Sequence, residues 1–145
     1  MIPRTFEGII VDLYHRHQDL ERRIEMRERT GTIAEVDAAK GLARVKISED
    51  PVTGKPFLSP WIPWKEQAMG AIKTHWPPAV GEQVKLVSES GDITDAVIDT
   101  SLPSDQNERP HDKEAEAVIT VGDTRLLYKG DRVRVKSPKI QFGNT

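Results

Sequence analysis

The last stretch of the chain, VGDTRLLYKGDRVRVKSPKIQFGNT, constrains the fold more than any other part of the sequence. Turn residues return about every eight positions in it, at Gly122-Asp123, at Gly130-Asp131 and near Ser137-Pro138. Between these turns, apolar and polar residues alternate. This pattern predicts successive short strands that are each buried on one side only.

So few strands have little to fold against within their own chain. Residues 115–145 could form a plain antiparallel meander packed on the rest of the chain, or they could pack around an axis with other copies. The second arrangement predicts an intertwined trimeric β-helix or β-prism, because three copies suit a narrow rod without a lumen. The residues expected to fill its interior are Ile119, Val121, Val133, Val135, Ile140 and Phe142.

The same segment carries the basic excess of the chain. Its charge is +3, whereas residues 31–100 sum to −3 and the whole chain to −2. The excess is explained either by a solvated outer face of the sheet or by a specific electrostatic role, and the sequence leaves both open.

Residues 1–29 predict an N-terminal helix. Its apolar positions follow spacings of four and three, which form a seam in heptad register, and Thr30-Gly31 predicts its end. The seam could pack on its own domain, on copies of itself or on a partner, with His17 as a polar residue that fixes the register. The seam residues are Phe6, Ile10, Leu13, His17, Leu20 and Ile24.

Residues 30–100 predict a small β unit. The stretch TGTIAEVDAAKGLARVKI indicates a hairpin around Lys40-Gly41, and VGEQVKLVSESGDITDAVID indicates two further strands. The stretch EDPVTGKPFLSP is too rich in proline for a central strand. Five short strands with one long connection favour a Greek-key barrel of the oligonucleotide/oligosaccharide-binding (OB) type.

Residues 101–114 are polar, contain two prolines and predict a linker.

The motif Trp76-Pro77-Pro78, followed by Gly81, predicts a fold-specifying loop. Two prolines fix the approach to a strand, the indole is expected to bury a large area, and Gly81 permits a tight turn.

Enzymatic function is not expected. The chain has no cysteine, which excludes disulfides and thiolate zinc sites, and it shows no nucleophile signature or phosphate-binding glycine loop. We therefore expect no catalytic residues, no metal and no cofactor.

His15 and His17 lie two residues apart on a predicted helix, where they point to nearly opposite faces and cannot chelate one ion. The N-terminus lacks the pattern of a secretory signal, so synthesis in a cytoplasm is expected.

The hairpin and the run from Trp76-Pro77-Pro78 through Val80-Gly81-Glu82-Gln83-Val84 to Gly91-Asp92 resemble baseplate assembly protein V. This family forms the central spike of contractile-tailed phages and related injection machines, and the resemblance covers most of the chain from Thr30 onward. It implies a homotrimer in the virion baseplate, bound to a hub protein at the end of the tail tube. It also implies a needle that contacts the bacterial envelope when the tail contracts.

Two differences between this chain and members of that family affect what is expected of it. Longer members end in a metal-binding His-X-His tip, so a removed tip or a separate tip protein is expected here. Some large-phage spikes carry a lysozyme domain, and the linker at 101–114 takes its place.

The rival hypothesis is a monomeric OB-fold module that binds oligonucleotides. Trp61, Trp64 and Trp76 could stack bases in such a module. The acidic balance of residues 31–100 disfavours it, so a nucleic-acid partner is not expected, and a salt-dependent affinity for oligonucleotides would support it.

Overall fold

The computed structural model describes residues 5–144. Residues 1–4, at the start of the predicted helical segment, and Thr145, at the end of the predicted tail, lie outside the described residues. The described chain is mainly β, with one long helix at its N-terminal end. Its helix and strands are α1 (Phe6–Arg27), β1 (Glu28–Asp37), β2 (Leu42–Glu49), β3 (Pro56–Leu58), β4 (Ile62–Pro63), β5 (Gln83–Val87), β6 (Val97–Leu102), β7 (Ala117–Val121), β8 (Thr124–Lys129) and β9 (Arg132–Lys136).

Helix α1 is confirmed, but its predicted end was wrong. Thr5 caps its start, because the Thr5 Oγ1 accepts a hydrogen bond from the Gly8 N–H at 3.0 Å. The helix ends at Arg27, and the chain enters β1 directly at Glu28. Thr30 and Gly31 therefore lie inside a strand.

Gly31 is needed for close packing of β1 on β2. A Cβ atom at this position would lie 2.4 Å from the Cγ1 atom of Val45 and 2.9 Å from the carbonyl oxygen of Lys46. A glycine within a strand often marks such a close approach, which explains why its reading as a helix stop was wrong.

The first sheet has the strand order β3-β2-β1-β5-β6, and β4 also pairs with β2. The predicted hairpin is confirmed, since β1 and β2 pair antiparallel through Asp37 and Leu42. Just after β4, Trp64 forms a parallel bridge with Ile98 of β6, and the Lys65 N–H donates to the Ile98 carbonyl at 2.8 Å. These contacts join β4 to β6 and close the sheet into a ring.

The first sheet has six strands within the described residues, one more than expected. The additional strand is β3, which pairs with β2 near Glu49 and ends the strand order. The proline-rich stretch that contains β3 was predicted not to form a central strand, and the position of β3 at the end of the strand order confirms this.

The core of the barrel is small and apolar. Ser59 is also fully buried there; its Oγ accepts from the Val45 N–H at 2.9 Å and donates to the Pro60 carbonyl at 2.8 Å. The Ser59 hydroxyl thus both accepts and donates a hydrogen bond, so burying it costs little free energy. The buried apolar residues are Ile33, Ala43, Val45, Ile62, Val84, Leu86, Ala96 and Ile98.

The chain divides into two compact units between Asn107 and Glu108. Strand β6 runs two residues beyond the predicted barrel end, because Leu102 pairs with Gln83. In the second unit, β7, β8 and β9 form a three-stranded antiparallel meander. No described helix is both long and apolar enough to cross a membrane.

The predicted alternation at Ile140 and Phe142 is not a strand. Residues 137–144 contain no strand in the described chain. Pro138 lacks an N–H donor just after β9, which prevents regular pairing at that position.

Candidate functional site

The seam on α1 is exposed along its whole length. No residue of α1 is buried, and Phe6, at the start of the seam, is 77% exposed. His17 faces solvent and its Nε2 lies 3.0 Å from the Glu21 carboxylate one turn further on. An apolar stripe that no other described part of the chain covers is typical of a helix that packs on another chain.

The barrel contacts a different side of α1. Arg22, Arg23 and Met26 line a cleft of about 380 Å³ together with residues 90–93, and Gly91 is buried against the backbone of Arg23. By the 100° rotation per residue of an α-helix, Arg22 and Met26 lie opposite the seam, whereas Arg23 lies beside it. The barrel therefore holds α1 by the side that does not carry the apolar stripe.

The tail sheet has one apolar face that is uncovered within the described residues. Cross-strand pairing places Ile119 beside Leu126 and Leu126 beside Val135, and a second row joins Tyr128 to Val133. Partners in an antiparallel pair share a face, so these residues form one surface with Val121. Leu126 and Tyr128 were missed in the sequence, because two adjacent leucines in β8 hide the alternation.

The predicted interior residues fall into two groups in the structure. Ile119, Val121, Val133 and Val135 lie on the apolar face of the sheet, and each is at least 40% exposed. Ile140 and Phe142 follow the sheet, and Phe142 is 95% exposed.

The other face of the tail sheet is basic. Its charged residues surround a cleft of about 400 Å³. Glu116 lies in this cleft with its side chain 10% exposed, and its Oε2 is 2.8 Å from the Nε2 of His111. The hydrogen bond from His111 and the nearby Lys129 ammonium hold the pKa of Glu116 below its ordinary value. The cationic residues lining the cleft are Lys113, Arg125, Lys129, Arg132, Arg134 and Lys136.

His111 links the segment before β7 to this sheet. The Nη2 of Arg125 lies 2.8 Å from its Nδ1, and the guanidinium can only donate, so Nδ1 accepts. The hydrogen on Nε2 is then directed at Glu116. These contacts anchor the segment before β7 to the sheet.

The loop around Trp76 is ordered by Glu66 rather than by a buried indole. One carboxylate oxygen of Glu66 accepts from the Trp64 Nε1 and from the Trp76 backbone N–H, both at 2.7 Å. The other accepts from the Thr74 hydroxyl at 2.8 Å. These bonds, led by that from Trp76, lower the pKa of Glu66.

The expectation of a buried Trp76 was wrong, because the residue is 59% exposed. Pro77 is exposed, whereas Pro78 is buried. Gly81 has a φ of 91°, which only glycine adopts readily, and it turns the chain into β5 as predicted.

The described residues contain no group of three His, Asp or Glu side chains that could hold a metal ion. His15 and His17 lie on α1, and in the barrel Glu66 accepts hydrogen bonds from its own loop while Asp99 pairs with Lys65. Asp92 caps the short helical turn at residues 93–95, accepting from the Thr94 N–H at 3.0 Å.

Two comparisons with known proteins agree with this geometry. Residues 29–102 match the sequence profile of the family described as the type VI secretion system/phage-baseplate injector OB domain. The chain is also 32% identical over 93 residues to the spike protein of Escherichia phage P2. That alignment covers 64% of this chain and 41% of the relative, so the chain spans well under two thirds of the relative's length.

Proposed function

Because this chain belongs to the type VI secretion system/phage-baseplate injector OB-domain family, we propose that it is the central spike of a contractile phage tail or a related injection machine. In this role it is a homotrimer that joins the tail hub to an envelope-piercing needle. It is a structural protein of the virion baseplate, made in the host cytoplasm.

The observation that carries this proposal is the uncovered apolar face of the tail sheet. Burying one Val, Ile or Leu side chain contributes about 1.5–3 kcal/mol, and each copy brings several to this surface. Three copies that turn these faces towards a common axis would remove them from water and leave the basic faces outside. Ile140 and Phe142 would then extend the apolar interior beyond β9.

The barrel and the helix have separate parts in this assembly. The barrel, with its Trp76-Pro77-Pro78 loop, positions the spike at the hub. Helix α1 presents its seam either to the hub or to the other copies. Both surfaces lie in the first compact unit.

A pair of substitutions tests the proposal. Val135→Asp would place three carboxylates near the axis, where burying like charges is costly. Arg134→Asp introduces the same side chain on the opposite face of β9. Light scattering behind a sizing column should show a trimer for Arg134→Asp and its loss for Val135→Asp. A Val135→Asp variant with the mass of the unmodified assembly would contradict the inward placement of the apolar face.

One observation favours the oligonucleotide-binding alternative. Trp61 is half exposed, and the Arg44 guanidinium lies 6.0 Å from its ring, an arrangement on which bases can stack. Titration of a single-stranded oligonucleotide at two salt concentrations decides between the two functions. Salt-dependent binding by a monomeric chain would favour the alternative.

A further inference from the structure

Helix α1 carries a charge pattern that specifies a partner for its seam. In heptad register, Ile10, His17 and Ile24 occupy the a positions, and Phe6, Leu13 and Leu20 occupy the d positions. The flanking g row begins with Ile9 and is then basic, whereas the flanking e row is acidic at both ends. The g row is Ile9, Arg16 and Arg23, and the e row is Glu7, Tyr14 and Glu21.

These two rows distinguish between the possible directions of packing. In a parallel coiled coil the g row of one helix faces the e row of the next, so Arg16 would meet Glu21 of a neighbouring copy and Ile9 would meet Tyr14. In an antiparallel pair, g faces g and e faces e. Arginine would then meet arginine, and glutamate would meet glutamate.

The charged side chains can exchange their partners within the helix for these contacts between copies. In the single chain, Arg16 pairs with Asp12 at 2.9 Å and Glu21 with His17 at 3.0 Å. All four residues lie on the same helix at exposed or half-exposed positions, where such pairs contribute little. Exchanging them for contacts between copies therefore costs little.

His17 adds a reason for a single register. It lies at the central a position, between Ile10 and Ile24. A shift of one heptad would pack the imidazole against isoleucine, burying a polar group without a partner. In register, the His17 side chains of the copies meet each other in one layer, so no imidazole packs against isoleucine.

We propose that α1 forms a parallel, in-register coiled coil with α1 of the other copies, with Arg16 of each copy facing Glu21 of the next. This inference rests on the proposed function for the number of copies, which is three. It assigns the seam to the other copies of this chain rather than to the hub. The barrel contact at Arg22 and Met26, on the opposite side of α1, leaves the seam accessible for it.

Disulfide trapping in the full chain tests the direction and register. The chain has no cysteine, so a single introduced thiol can link only to another copy. Leu20→Cys lies at a d position and meets itself in a parallel coil, whereas in an antiparallel one it lies about 15 Å from its counterpart. His15→Cys, at the outward f position, is the matched control. Because α1 buries no residue, neither change should unfold the barrel.

The expected result is disulfide formation at least about five-fold faster for Leu20→Cys than for His15→Cys, because only the d position satisfies disulfide geometry. Equal rates in a chain that still has trimer mass would overturn the coiled coil and leave the spike proposal standing. Equal rates in a chain with the mass of a monomer would contradict both.

Charge reversal tests the contact between the rows. Arg16→Glu should weaken linking of Leu20→Cys, because it brings two carboxylates together. Adding Glu21→Arg should restore it. The Arg16–Asp12 pair is lost in both variants, so restoration would report the contact between copies. No restoration would overturn the assignment of Arg16 to Glu21.

Discussion

Gly91 lies so close to the end of α1 that a Cβ atom on it would be 2.4 Å from the carbonyl oxygen of Arg23 and 2.7 Å from the Arg23 Cα. Gly91 is buried and has a φ of 80°, a conformation that residues with a side chain rarely adopt. This contact is what allows the helix to rest on the turn between β5 and β6.

Gly91→Ala should therefore destabilise the first unit by about 1–3 kcal/mol, through backbone strain and displacement of α1. The matched control is Gly130→Ala, since a Cβ atom on Gly130 would have no neighbour within 4 Å. Thermal unfolding followed by circular dichroism measures both. An equal melting temperature for the two variants would show that the turn does not hold the helix.

Gly31→Ala tests the close approach of β1 and β2. The added methyl group would press on Val45 and on the backbone of Lys46, so overpacking should cost about 1–3 kcal/mol. Gly70→Ala, in an open loop, is the control and should be nearly neutral. Urea unfolding gives both free energies, and a neutral Gly31→Ala would mean that the two strands can separate without loss.

Elements in which apolar residues recur at a regular spacing were predicted well from the sequence. Contacts between residues that are far apart in the chain were predicted poorly. The hairpin around Lys40-Gly41 was found because alternation and turn chemistry agree there. Gly31 was misread as a helix stop, because its role depends on Val45 in another strand. Trp76 was expected to be buried because of its size. Its loop is instead ordered by Glu66, and the hydrogen bond between Glu66 and the Trp76 N–H spans ten residues, so it has no local signature in the sequence.

The tail shows the same limit. Alternation alone predicted that Ile119, Val121, Val133 and Val135 point to an interior. The structure puts all four on the same surface of the tail sheet. Leu126 joins them only through its cross-strand partners. The arrangement of copies around this surface remains a proposal.

Glu66 predicts a response of the Trp76 loop to acid. Its pKa lies below the ordinary value of 4.5, so its stabilising effect is fully present above pH 4.5. The effect is lost as the pH falls through the lowered pKa, when protonation removes acceptor capacity. Tryptophan fluorescence titrated from pH 7 to acid should change in the native chain.

Glu66→Gln should show part of that fluorescence change already at pH 7, whereas Glu89→Gln, at an exposed site, should not. Identical acid titrations for the native chain and Glu66→Gln would exclude Glu66 as the group that orders the loop.

Glu116 predicts a second effect, confined to the tail unit. Replacing it by Gln should weaken the bond to His111 and loosen the segment before β7. Hydrogen exchange should then increase at residues 111–117, while Glu114→Gln, two residues away and exposed, leaves it unchanged. Protection equal to that of the native chain would show that His111 and Arg125 hold the segment without the carboxylate.

The most direct test of the spike proposal is the mass of the unmodified chain in solution, measured by light scattering behind a sizing column. Burial of the apolar face formed by Ile119, Leu126 and Val135 predicts three times the mass of one chain, maintained on dilution. The mass of a single chain would contradict it, because the face would then remain in water.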